Sequence, residues 1–150
     1  MPSERSRYLK RSPNAPLHWN ELKEHLLRLG ENRLADIILD RSHGDSVLAK
    51  VVMVAAGIHS ANGNWEKAKT AIDYALHFPD YVRYTEHGHE QVLDEIKISL
   101  ALLVKQSQTA FALRIGLYAI ERAQEIAENF EEDFEWTSTL EDLEKWLQEI

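Results

Sequence analysis

The residues best suited to chemistry lie together in one stretch, Arg83-Tyr84-Thr85-Glu86-His87-Gly88-His89-Glu90. Two imidazoles one residue apart, with carboxylates on either side, are types that ligate a borderline metal ion such as zinc. Such a site needs further ligands, and these would have to come from His43, His59 or His77. An isolated His-x-His fixes no such geometry, so neither a metal nor a cofactor is expected. In the plain alternative, Tyr81, Arg83 and Tyr84 pack and hydrogen-bond a loop, while Glu86 and Glu90 favour a helix N-terminus by charge. Glu131-Glu132-Asp133-Phe134-Glu135 lacks the glycine turn and alternating oxygen spacing of a calcium loop and reads as a solvated acidic turn. No Gly-rich phosphate loop, Gly-x-Ser-x-Gly or His-Glu-x-x-His occurs. The absence of cysteine excludes thiolate sites, disulfides and a Cys nucleophile.

The elements that must position these residues are helical. Residues 1–16 contain Pro2, Pro13 and Pro16 and four of the cations, Arg5, Arg7, Lys10 and Arg11, and are expected to form a disordered basic tail. Residues 17–150 are expected to form one helical domain. Trp19, Leu22, Leu26, Leu27 and Leu29 recur at mostly helical spacing before Gly30. A second helix takes Leu34, Ala35, Ile37, Ile38 and Leu39 and stops near Gly44, so the two make a hairpin. Asp45 or Ser46 can cap a third helix that is apolar almost all round from Val47 to Ile58, and a buried central place is expected for it. Asn62-Gly63-Asn64 is a turn. Trp65, Ala68, Ala71, Ile72, Ala75 and Leu76 then form one stripe that Pro79 closes, with Lys67 and Lys69 facing away.

After a loop over 80–88, a long helix is predicted from Glu90, with Ile98 and Leu102 widening its buried face. Ser107-Gln108-Thr109 is the next turn. A further helix over 110–130 contains Gly116, which fits if another helix packs closely there. Ser138 and Glu141 read as a capping box for a last helix bearing Leu140, Leu143, Trp146 and Leu147.

The chain is 150 residues long with net charge −8, and that balance opposes a broad surface for DNA. No stretch is apolar for long enough to span a membrane.

The middle hairpin, residues 48–80, resembles a tetratricopeptide repeat. The carrier is the turn and helix start Gly63-Asn64-Trp65-Glu66-Lys67-Ala68, followed by Ala68, Ile72 and Ala75 at the family's small-large-small spacing. Pro79 stands one residue before the family's terminal proline. Ala56 stands where the family has Gly, and His59 where it has Tyr. A second hairpin fits in outline, with Ala112 and Ala119 at matching positions and Gly116 in place of the aromatic. The resemblance implies a right-handed superhelix of stacked antiparallel hairpins, about seven helices in all. It implies a concave binding face from the first helix of the hairpin: Lys50, Met53, Gly57 and Ser60. On packing grounds alone, Met53 and Gly57 read as core.

Arg83 and His89, near a helix start, are similar in spacing to the Arg/His pair of all-helical ribonucleases of the HEPN type. That resemblance implies Arg83 on a phosphate and His89 as acid/base at the ribose 2′-hydroxyl. Tyr84 departs from the polar residue that commonly follows the Arg. The expectation carried forward is a cytoplasmic, non-catalytic protein–protein interaction or scaffold module. Its partner would be a protein, a peptide or a second copy of itself, and the HEPN-like ribonuclease is the alternative.

Overall fold

The structure is a computed structural model and describes residues 18–77, 86–128 and 137–150. The basic tail, the loop bearing Tyr81 and Arg83, and the acidic turn at 131–135 lie outside the described residues. Among those described there are seven helices and no strand, and no helix is long and apolar enough to cross a membrane. The chain divides into two compact units, Met1–Gly44 and Asp45–Ile150.

The first unit holds α1 (Trp19–Arg28) and α2 (Glu31–Ser42), which pack on each other. Gly30 joins them at φ 90°, a conformation that suits only glycine without strain. Leu22, Leu34 and Ile37 are half-buried, while Leu26, Leu27, Leu29, Ile38 and Leu39 are exposed and no residue of α2 is buried.

The second unit comprises α3 (Ser46–Ala61), α4 (Trp65–Leu76), α5 (Glu86–Lys105), α6 (Thr109–Glu128) and α7 (Thr137–Glu149). Asp45 caps α3, its carboxylate accepting from the backbone N–H of Val47 and Leu48. The α3–α4 turn places Asn62 and Gly63 at positive φ, and the Asn64 side chain then accepts from Lys67 N to open α4. The α5–α6 turn is closed by Gln108 N donating to Leu103 O and Ser107 N to Val104 O, with Ser107 left-handed at φ 64°. That is the bond pattern of a Schellman stop.

Packing runs in a closed circuit. Helix α3 lies on α4 and α5, α4 on α6, and α6 on α5; α7 covers α5 and α6. Val54, Ile58, Ile72, Leu76, Val92, Leu93, Ile96, Leu100, Ile115 and Leu143 fill the centre. Buried alanines, among them Ala68, Ala75, Ala112, Ala119 and Ala123, let the backbones approach. The closest approach is at Gly57, where a Cβ would stand 2.5 Å from that of Ala71. At Gly116 a Cβ would meet the side-chain end of Leu147, which supplies the close helix that this glycine required.

Three expectations are corrected. Helix α5 starts at Glu86, a turn before Glu90, and Gly88 within that turn is buried. Ile98 and Leu102 point to solvent, 55% and 52% exposed, because the core already takes Ile96, Ser99, Leu100 and Leu103 from the opposite side. Helix α3 is less enclosed than its composition suggested: Met53, Ala56, His59 and Ser60 are exposed, and α5 is the helix that touches every other one in the unit.

Candidate functional site

The four residues expected on a concave face follow one stripe of α3 but meet different surroundings. Lys50 is 9% exposed; its Nζ donates to Tyr74 O at 2.9 Å and lies 4.3 Å from the centre of the Tyr74 ring. Burial pushes its ammonium below the usual lysine range. Its place is the last turn of α4, where a cation suits the carbonyl end of the helix. Gly57 is the crossing point with Ala71. Met53 and Ser60 are exposed, the Ser60 hydroxyl donating to Gly57 O. The stripe therefore offers two outward side chains, while the other two residues bind α3 to α4.

Arg83 lies outside the described residues, as does the side chain of His89; only the backbone of His89, in the first turn of α5, is described. His43, His59 and His77 are exposed, and among the described residues no group of three or more His, Asp or Glu could hold a metal.

A different constellation stands out on the seam between α4 and α6. Trp65, Lys69 and Asp73 fall at i, i+4 and i+8 of α4, and Arg114, Tyr118 and Arg122 do the same on α6. Each set therefore lies on one helix face. The Arg114 guanidinium sits 4.1 Å from the centre of the Trp65 ring. The Trp65 and Tyr118 rings meet edge to face at 5.4 Å. Lys69 Nζ lies 5.9 Å from the Tyr118 ring centre. The Tyr118 hydroxyl donates a short bond to Asp73 Oδ1. Arg122 Nε is 3.2 Å from the same oxygen without aligning its N–H on it, and the guanidinium donates to Glu125 at 2.7 Å. The contacts advance in the same direction along both helices, so α4 and α6 run parallel.

All of these side chains are half-exposed except Arg114 and Glu125, which are exposed. Burial, then the bond to Asp73 and its negative charge, pushes the Tyr118 hydroxyl up to about 12. Arg122 is likewise held above its ordinary value despite partial burial, through its bond to Glu125 and the charge of Asp73. The signal for this seam was present in the sequence as two heptad-like i, i+4, i+8 triplets of aromatic and charged residues. It was missed because Lys69 was assigned to the solvent face, one position from the apolar stripe.

No protein-family model matches the chain, and no curated protein or solved structure matches it either.

Proposed function

We propose that the chain is a non-catalytic protein-interaction or scaffold module. The observation that carries this reading is the α1–α2 hairpin. Its helices have 10 and 12 residues, at or below the ~12–15 residues under which isolated helices are marginal in water. Yet Leu27, Leu29 and Leu39 are more than half exposed. Large apolar side chains left exposed on so short a hairpin suit a surface that another protein covers. Met53 on α3 adds an apolar anchor on the face first expected to bind. A tetratricopeptide-like stacking of α3–α4 on α5–α6 is part of the proposal. The parallel course of α4 and α6, and α7 lying over the second hairpin, support it.

Affinity capture from a cell extract, paired with sedimentation of the purified chain, tests the reading. Leu27→Asp with Leu39→Asp, and separately Met53→Asp, should each leave the helical circular dichroism of α3–α7 intact. The hairpin pair should abolish binding of the main partner or dissolve a self-association. A partner set and sedimentation profile unchanged by both variants would overturn the proposal.

A further inference from the structure

We propose that the Trp65 end of the α4/α6 seam is a docking site for an acidic peptide segment, with Arg114 and Lys69 receiving its carboxylates. The lower part of the seam is charge-paired: Asp73 accepts from Tyr118 and lies beside Arg122, and Arg122 pairs with Glu125. The upper part is not. Among the described residues no carboxylate lies within ion-pair distance of Arg114 or Lys69. Both contact aromatic rings instead. A guanidinium held over an indole keeps its N–H groups for a two-point bond to a carboxylate. The Trp65–Tyr118 pair supplies an adjoining apolar wall for a flanking side chain. Trp65 is also the first residue of α4, so the positive end of that helix adds to the field there.

The patch is small and the whole chain carries −8. Screening within about 8–10 Å lets two local cations act on two or three carboxylates. A nucleic acid needs a continuous basic track, and the acidic balance of the chain opposes one. The proposal shares with the preceding reading only the premise that the chain binds protein, and it concerns a different surface. A negative result here leaves the capture result at α1–α2 standing.

The test follows the Trp65 indole N–H and the Arg114 Nε–H by NMR in the full-length labelled chain. The probe is an acetylated Glu-Glu-Phe-Glu-Glu peptide. Three further titrants are the Gln-Gln-Phe-Gln-Gln analogue, inorganic phosphate and a single-stranded oligothymidylate. Saturable shifts of both signals with the acidic peptide are expected, weakened about tenfold by Arg114→Gln and severalfold by Lys69→Gln. Arg33→Gln in α2 should leave the affinity unchanged. Arg114 is exposed, so the remaining spectrum of Arg114→Gln should stay folded. The proposal is overturned if the acidic peptide gives no saturable shift or if Arg114→Gln binds it equally. It is also overturned if the neutral analogue, phosphate or the oligonucleotide reproduces the shifts at equal or lower concentration.

Discussion

Lys50 carries a charge into a nearly closed space because the end of α4 needs a donor there. Its stem packs between helices and its ammonium meets the Tyr74 carbonyl. Replacing it with Met removes both a desolvated charge and a cap. The two effects oppose, so stability should change by no more than about 1 kcal/mol in urea unfolding. Lys50→Glu places an unpaired acid against carbonyls and should cost about 3–5 kcal/mol. That substitution therefore reports on folding rather than on a binding face, and Met53 is the residue of that stripe to probe for binding.

Tyr118 makes the complementary point for pH. Its folded-state pKa stands above its unfolded value, near 12 against 10. The folded chain thus holds the phenolic proton more tightly, a contribution fully present below pH 10 and lost as pH rises towards 12. Tyr118→Phe should flatten the part of the alkaline stability profile that wild type shows in that window. In an alkaline spectrophotometric titration, the tyrosinate absorbance that Tyr118→Phe removes should be a part that appears towards pH 12 rather than near 10. An unchanged profile in Tyr118→Phe would sink the assignment.

Helix lengths and stops were written locally and could be read locally. Asp45, the Asn62-Gly63-Asn64 turn and Gly30 announced their roles because each acts on its own neighbours through capping or positive φ. Facing partners across helices were not legible in the same way. Lys69 looked solvent-facing until α6 brought Tyr118 beside it, and Ile98 and Leu102 looked buried because apolar type alone does not say which side of α5 the core occupies. Gly57 sits between these cases. Its absence of a side chain was visible, but only the Ala71 contact explains it.

Adding a methyl at Gly57 gains about 1 kcal/mol of helix propensity. The clash is with a Cβ that cannot rotate away, and overpacking of this kind costs about 1–3 kcal/mol. Gly57→Ala should be net destabilising, and Ala71→Gly in the same chain should recover part of the loss; additive losses would contradict the contact. Ser107 offers the opposite case. It holds a left-handed conformation that glycine adopts freely, so Ser107→Gly should raise stability by about 0.5–1 kcal/mol.

Taken whole, the chain has a body whose core is drawn from five helices and a leading hairpin with no such centre. Hydrogen exchange should reflect this: amides of α1 and α2 should exchange at least about tenfold faster than those of α5. Equal protection in both would mean that something covers the hairpin in solution, and sedimentation would then identify a second copy. The helical class and the seven helices of the described residues were legible because 3.6-residue periodicity extends over most of the chain. The α4/α6 seam was not, since it is assembled by side chains some 45 positions apart.

Helix α5 touches every other helix of its unit, and this has a consequence for synthesis. The α3–α4 hairpin can form from neighbouring residues as it leaves the ribosome. Its open side stays wet until α5 and α6 have both emerged, roughly fifty residues later. At about 5–20 residues per second, that is an interval of a few seconds. During it Ile58, Ile72 and Leu76 are available to chaperones, and a stall between α5 and α6 would leave a nascent chain that proteases cut at α3 and α4.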